Sequence, residues 1–172
     1  ITFAIAGSLD YLTKGISTLE RNGYHPALII KDGSRIIEFK DEIKRENIEL
    51  LVCLAHPNIL TRTELDLFRF GCINMHAGLP KYRGRHPLNW MLIHGLDEIP
   101  VAIHYMDEGI DTGDVIVRDT IMVERDDDYN SVMHKITAIE GQLLFSAIKQ
   151  IESDMVYRQK QNKNRLGYLS KR

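Results

Sequence analysis

The run Leu50-Leu51-Val52-Cys53-Leu54 is apolar at every position and is followed at once by the polar stretch Ala55-His56-Pro57-Asn58. A strand with one buried face alternates apolar and polar residues, whereas a strand covered on both faces is apolar throughout. Similar apolar runs occur at residues 2–6, 27–30 and 72–76. The pattern predicts a sheet that is covered by helices on both faces.

Segments with helical spacing separate these runs. Leu12, Ile16 and Leu19 recur every three or four residues, and Asn22-Gly23 predicts the end of that helix. Pro87 suits the first turn of another helix, and the run Asp126-Asp127-Asp128 can cap the last one. Alternating strands and helices predict the α/β class, here a doubly wound, mainly parallel, Rossmann-like sheet.

Composition and charge limit the choice of function. The 172 residues are enough for one domain, and contents of 44% hydrophobic and 27% charged residues are ordinary for a globular protein. We predict a catalytic domain at residues 1–157 and a basic tail or linker at 158–172. The tail holds six of the 22 basic residues and no acidic residue. The domain therefore has 16 basic and 24 acidic residues, a net charge of −8. An acidic body disfavours nucleic acid, although the tail could contact phosphates.

The two cysteines, Cys53 and Cys72, both lie inside apolar runs. Two cysteines do not make a disulfide framework, so we expect reduced core residues. No apolar run approaches ~18 residues, and residues 1–7 are typical of a buried strand rather than a signal peptide. These features predict a cytoplasmic protein that does not bind a membrane.

Polar, glycine and proline residues follow the predicted strands at 7–10, 31–33, 55–58, 74–80 and 106–111. In open α/β sheets, ligands bind beyond the carboxyl ends of the strands. We therefore expect the functional site along this edge.

Three polar residues in these segments form a candidate catalytic set. Asn74 and His76 are two apart on a predicted strand and should face the same way, and Asp111 lies in the turn that follows a later strand. An amide, an imidazole and a carboxylate can hold an oxyanion and move protons. The first two could equally be a hydrogen-bonded pair that supports the loop, and the third could belong to a tight polar turn made by Gly109 and Gly113.

Other chemistries lack their motifs. Gly7 stands alone where a dinucleotide-binding loop needs three glycines, and neither GxxxxGK[ST] nor GxSxG occurs. The histidines lack metal-ligand spacing, and the turn at 107–114 lacks the spacing of a calcium loop, so we predict no metal. The basic loop 81–85 is either an ordinary exposed loop or a phosphate or sugar site.

Taken together, Asn74-x-His76, Leu79-Pro80, Arg83-Gly84 and Asp111 before Gly113 resemble the formyltransferase family that uses 10-formyltetrahydrofolate. The family includes enzymes that act on glycinamide ribonucleotide, methionyl-tRNA and nucleotide-linked amino sugars. The loop after His76 is one residue shorter than is usual in the family and lacks its serine.

Within the family, the sequence is most similar to the tRNA and sugar branches. Residues 6–11 resemble their first-strand turn, and Gln159 with residues 167–172 resembles the segment that leads to their C-terminal domain. Pro87-Leu88-Asn89-Trp90 is closest to the sugar branch. The resemblance therefore implies the catalytic N-terminal domain of such an enzyme.

The resemblance implies transfer of a formyl group from 10-formyltetrahydrofolate to a primary amine, in the first place that of a nucleotide-linked amino sugar. The alternatives are the catalytic part of a methionyl-tRNA formyltransferase, a formyltetrahydrofolate hydrolase, and a folate-binding module without turnover. The resemblance implies small-molecule partners and leaves a homodimer open, while the acidic body of the chain disfavours tRNA without excluding it.

The resemblance also assigns residues to roles. The implied catalytic residues are Asn74, His76 and Asp111, with the imidazole within one water's reach of the carboxylate. The implied folate contacts are His56, Pro57, Asn58, Ile59, Leu60, Met106, Asp107, Gly109 and Ile110. The implied contacts to the amine substrate are Ser8, Asp10, Lys81, Tyr82 and Arg83.

Overall fold

The computed structural model describes residues 1–31 and 33–162. The elements follow in chain order as β1 (Phe3–Gly7), α1 (Leu9–Arg21), β2 (Leu28–Lys31), a 3₁₀ helix (Ile36–Phe39), α2 (Lys40–Arg45), β3 (Leu50–Leu54), α3 (Arg62–Leu65), β4 (Cys72–Ala77), α4 (Pro87–Ile93), β5 (Glu98–Tyr105), β6 (Val115–Met122) and α5 (Tyr129–Glu152). None of the helices in this part of the chain has the length and hydropathy that crossing a membrane requires.

The six strands form one sheet in the order β2-β1-β3-β4-β5-β6. The first four are parallel, while β5 runs antiparallel to both β4 and β6. Helical connections return the chain to the same edge for each of the parallel strands, as they must. The mainly parallel α/β sheet that the sequence predicts is confirmed.

Both faces of the central strands are buried. Phe3 and Ile5 of β1 pack into one core with α1, α4 and α5, while Ala4 and Ala6 pack into a second core with the 3₁₀ helix and α2. Strand β3 divides its residues between the two cores in the same way. Burial on both faces is the physical reason for the continuous apolar runs.

The helix ends follow local signals in the sequence. Asp128 caps α5 by accepting from the backbone N–H of Ser131, whose hydroxyl accepts in turn from the N–H of Asp128, and Pro87 occupies the first turn of α4. Both predictions are confirmed. Cys53 and Cys72 are buried and unpaired, and burial raises the pKa of the Cys53 thiol to about 12.

The direction of β5 corrects the expectation that all the polar segments lie beyond one edge of the sheet. Because Ile73 pairs with Tyr105 and Ala77 with Val101, β5 ends near the start of β4. Residues 106–114 therefore leave the opposite edge, and Asp111 reaches the end of β4 because this connection folds back over one face of the sheet.

The chain does not leave the domain after residue 157. Gln159 forms an antiparallel bridge with Val115 at the start of β6, through two backbone hydrogen bonds of 2.9 Å each. Gln159 thus pairs with the sheet, and Gln161 contacts the carbonyls of Asp111 and Gly113, beyond the predicted domain boundary. The rest of the predicted tail, 163–172, lies outside the described residues.

Candidate active site

The candidate site lies on the face of the sheet opposite α5, over β4 and β5. Asn74 and His76 project to this face because β4 alternates, with Ile73 and Ala77 in the core on the other side. The strand pairing then places His104 directly across from Asn74. Two loops, 78–86 and 106–114, surround these side chains.

His76 is held in one orientation by its own loop. The ring is buried, and its Nε2 donates to the backbone carbonyl of Tyr82 at 2.8 Å. Its other nitrogen, Nδ1, faces Oδ2 of Asp111 at 3.5 Å. The structure therefore brings together the imidazole and the carboxylate, within the distance expected from the sequence.

His104 was missed by the sequence analysis. Its Nδ1 donates to the carbonyl of Tyr105 at 2.8 Å, and burial lowers its pKa to about 4, although the Asp111 carboxylate acts in the opposite direction. The ring is therefore neutral near pH 7, and Nε2 carries a lone pair. That lone pair lies 3.3 Å from Nδ2 of Asn74, so the amide must turn its N–H towards His104.

Asp111 adopts a left-handed backbone conformation, with φ of 53°. Its Oδ2 accepts from the backbone N–H of Gly84 at 2.8 Å, and its Oδ1 lies 3.6 Å from Nε2 of His104. The carboxylate therefore touches both loops and both imidazoles. A residue other than glycine in this conformation needs such surrounding contacts to hold it.

The segment before Asp111 is organised by Asp107. One carboxylate oxygen of Asp107 accepts from the N–H of Gly109 at 3.0 Å and from the hydroxyl of Thr112 at 2.5 Å. Gly113 allows the loop to pass close to β5, because a Cβ there would lie 1.8 Å from the carbonyl oxygen of Tyr105. The turn is thus both structurally constrained and part of the site.

The loop after His76 turns inward at Gly78. Its φ is 89°, and a Cβ there would lie 2.8 Å from the Cβ of Tyr82. Tyr82 is consequently buried, with its hydroxyl 2.9 Å from Nδ1 of His94. The Tyr82 side chain packs inside the loop, and the contact of this residue with the amine substrate stays a prediction.

Arg83 is likewise buried, with 3% of its surface exposed, and its contact with the amine substrate stays a prediction. Its guanidinium donates to Oε1 of Gln161 at 3.0 Å and to the carbonyl of Asn162 at 3.2 Å. The short loop folds this side chain towards the C-terminal segment rather than towards solvent. Lys81 is exposed, so it is the one side chain of the predicted 81–83 set that a ligand can reach directly.

The predicted folate loop after β3 divides into exposed and packed residues. Ile59 is 48% exposed, and Ile110 on the other loop is 43% exposed. Leu60 is buried in the second core, and its contribution to an apolar wall of the folate site stays a prediction. Asn58 donates to the carbonyls of residues 33 and 34, which anchors the loop. Pro57, Met106 and Gly109 lie on the same two loops, and their contacts with folate stay predictions.

His56 and the start of α1 complete the predicted set. Both ring nitrogens of His56 are buried without a hydrogen-bond partner among the residues described, and burial lowers its pKa. Ser8 is half-buried at the N-terminus of α1, where its N–H donates to the carbonyl of Leu54. Asp10 lies in the first turn of that helix, and its side chain is outside the described part of the structure.

Cavity size alone does not locate this site. A cleft of about 520 Å³ lies by Phe70, Tyr105 and Arg158, towards the edge where β5 ends, and the catalytic candidates do not line it. Residues 1–31 and 33–162 contain no group of three His, Cys, Asp or Glu side chains arranged to hold a metal ion. The site is defined instead by its convergent hydrogen-bonding groups.

Comparison with known proteins identifies a family for the chain. The sequence model of the formyl transferase family matches residues 15–148. The methionyl-tRNA formyltransferase of Caldanaerobacter subterraneus is 36% identical over 132 residues, which are 76% of this chain and 43% of that protein. The Clostridium tetani enzyme of the same name is 32% identical over 82% of this chain and 45% of its own length. The chain thus spans less than half the length of these relatives.

Solved structures show the same fold. Phosphoribosylglycinamide formyltransferase from Bacillus halodurans superposes with a TM-score of 0.77 at 23% identity, over 89% of this chain and 96% of that one. The formyltransferase PseJ from Anoxybacillus kamchatkensis gives 0.78 at 19% identity, over 99% and 86%. The N-formyltransferase from Helicobacter canadensis gives 0.74 at 19%, over 96% and 69%. With most of its length matched by the family model, the chain belongs to the formyl transferase family.

Proposed function

We propose that the chain transfers the formyl group of 10-formyltetrahydrofolate to the primary amine of a nucleotide-linked amino sugar. The observation that carries the proposal is the convergence of Asn74, His76 and Asp111 on one face of the sheet, in a chain of this family. An amide donor, an imidazole and a carboxylate are the groups that formyl transfer between two bound substrates requires.

The folate would lie between the loop 55–60 and the connection 106–114. Ile59 and Ile110 expose apolar surface from these two loops, which suits the walls of a slot for a flat heterocycle. Two of the structural neighbours are described as complexes with folinic acid or tetrahydrofolate, which supports a folate donor for this fold. Backbone groups of the two loops would contact the polar edge of the ring.

Asn74 would stabilise the oxyanion. One amide hydrogen is directed to His104, which leaves the second for the formyl oxygen. As the amine attacks, a C–N bond forms and the carbonyl π pair moves to that oxygen. Removing such a donor typically costs ~3 kcal/mol in the transition state.

His76 and Asp111 would move the proton. The amine loses a proton, and the departing folate nitrogen gains one as the old C–N bond breaks and its electron pair stays on that nitrogen. Because Nε2 of His76 is committed to the Tyr82 carbonyl, the exchangeable position is Nδ1, the nitrogen that faces Asp111. In the neutral ring Nδ1 carries the lone pair, so it would accept the amine proton, and the imidazolium, stabilised by Asp111, would then donate that proton to the leaving folate nitrogen.

The charge of the chain favours a small acceptor over a large polyanion. Residues 1–157 carry −8, while Lys81 and Arg85 are exposed on the loop beside His76, where they suit a nucleotide diphosphate. The Helicobacter canadensis neighbour is described with dTDP-3-aminofucose and the Anoxybacillus kamchatkensis neighbour with a UDP-linked sugar. Pro87-Leu88-Asn89-Trp90 adds the sequence argument for the same branch.

A second candidate function has an observation of its own. The relatives with 32–36% identity are described as methionyl-tRNA formyltransferases, so the chain could be the catalytic part of such an enzyme. In that case the acceptor would be the amino group of methionine esterified to tRNA. The chemistry at Asn74, His76 and Asp111 would be unchanged.

One assay separates these functions. The purified protein is incubated with 10-formyltetrahydrofolate and, separately, dTDP- and UDP-linked amino sugars, methionyl-tRNA, or no acceptor. Mass spectrometry detects the formamide, and chromatography detects tetrahydrofolate and formate. A sugar formamide supports the proposal, whereas formylmethionyl-tRNA alone selects the second candidate. Formate release without an acceptor indicates a hydrolase, and no consumption of the donor contradicts formyl transfer altogether.

A further inference from the structure

We infer that Gln161 is a positioning residue for Asp111, and that the functional domain extends to this residue. The inference rests on the proposed function, because it concerns the carboxylate placed there in proton transfer. Gln161 lies 50 residues after Asp111, in the segment that the sequence assigns to a tail or linker.

Both the nitrogen and the oxygen of the Gln161 carboxamide form hydrogen bonds. Its Nε2 donates to the backbone carbonyls of Asp111 and Gly113, at 3.1 and 2.6 Å. Its Oε1 accepts from the guanidinium of Arg83 at 3.0 Å. The chemistry of these partners fixes the amide orientation, since the two carbonyls need N–H donors and the guanidinium needs an acceptor.

These contacts hold the backbone turn that aims the Asp111 carboxylate. Asp111 has φ of 53°, which a residue with a side chain adopts only when its surroundings impose it. Gln161 binds the carbonyl of Asp111 itself and that of Gly113 two residues later. Gln161 thus holds the backbone of the turn, while the Asp111 carboxylate faces His76.

Two sets of contacts connect the loops 78–86 and 106–114. The N–H of Gly84 donates to the Asp111 carboxylate at 2.8 Å, and the neighbouring Arg83 reaches the Asp111 backbone through Gln161. Gln159, two residues before Gln161, pairs with Val115, which fixes the segment against β6. Together these contacts form a closed ring of interactions around the carboxylate that faces His76.

Gln161→Glu tests the two ends of the carboxamide separately. A carboxylate keeps an acceptor for Arg83 and adds an ion pair, so the segment stays attached. The glutamate side chain has no donor for the backbone carbonyls of Asp111 and Gly113, and its negative charge repels them. The matched control is Gln142→Glu, the same change at an exposed position of α5.

The expected result in the full chain is a loss of kcat with little change in KM. Displacement of a catalytic group by ~1 Å can cost ~100-fold, so we expect Gln161→Glu and Gln161→Ala to lower kcat between ~10- and ~100-fold. The melting temperature should stay within about 5 °C of wild type. In an Asp111→Asn background, Gln161→Ala should cause no further loss, because a positioning residue acts through its partner.

Amide hydrogen exchange at Gly84 gives a readout that does not depend on turnover. This N–H is protected by the Asp111 carboxylate, so both Gln161 variants should raise its exchange rate at least ~10-fold, and Gln142→Glu should not. Unchanged Gly84 exchange with wild-type kcat in a folded variant overturns the inference, as does an additive loss in the Asp111→Asn background. If the wild-type protein transfers no formyl group, the proposed function fails and Gly84 exchange alone decides the role of Gln161.

Discussion

Substitution of Asp111 by asparagine removes one charge from the candidate site while keeping the shape of the side chain. The carboxylate lies 3.5 Å from Nδ1 of His76, and the two side chains are only 14% and 9% exposed. At an effective dielectric constant of about 20, a full carboxylate–imidazolium pair at this distance is worth about 5 kcal/mol. Solvent screening and relaxation recover about half of this energy, so the imidazolium that forms during proton transfer loses about 2.5 kcal/mol of stabilisation.

That loss corresponds to a decrease in kcat of about 100-fold. The fold should survive, because the amide oxygen of the introduced asparagine can still accept from the N–H of Gly84. Steady-state kinetics and a thermal melt measure the two effects. Asp119→Asn, at an exposed position of β6, is the matched control and should leave both unchanged. Turnover of Asp111→Asn within about threefold of wild type would refute the electrostatic role of this pair.

Three further perturbations have defined outcomes. His104→Leu removes the acceptor for the Asn74 amide and should lower kcat about tenfold by kinetics; an unchanged kcat contradicts that orientation. Because the folded pKa of His104 is about 4 and the unfolded value about 6.5, only the unfolded state gains this proton as the pH falls between them. The free energy of unfolding should therefore decrease by up to about 3 kcal/mol from pH 6.5 to 4. In urea titrations, His104→Gln should show a smaller decrease over this pH range; a decrease equal to that of wild type contradicts the role of His104. Gly78→Ala forces a Cβ to 2.8 Å from the Cβ of Tyr82 and should cost about 2–3 kcal/mol by urea denaturation; an unchanged free energy of unfolding would show that the loop rearranges at no cost.

The parts of the fold that depend on local pattern were predictable. The parallel strands are apolar throughout because they are buried on both faces, and Asp128 caps α5 through its own neighbours. The direction of β5 was not predictable, since a buried apolar run is the same in either direction. The short helix α3, which Thr61 caps, ends at Leu65, before Phe68. Phe68 is apolar because it packs in the second core.

The candidate site also contains residues that the sequence predicts and residues that it does not. Alternation along one strand is enough to set Asn74 beside His76, so this pair follows from the sequence. His104 joins them through the register between β4 and β5, which no local pattern reveals. A polar side chain within the apolar run 101–105 was the available signal. The burial of Arg83 and the role of Gln161 depend on contacts 78 residues apart in the chain.

The connection that carries Asp111 joins two adjacent antiparallel strands, so it is the tip of a long hairpin rather than a link between layers. Altering its length at residues 108–110 shifts no helix, unlike an insertion in any strand-to-helix link. We therefore expect loop grafts at these residues to change the affinity for the proposed folate donor without displacing a helix. Thr112 and Gly113 must be retained in every graft, because the first anchors Asp107 and the second has no room for a side chain.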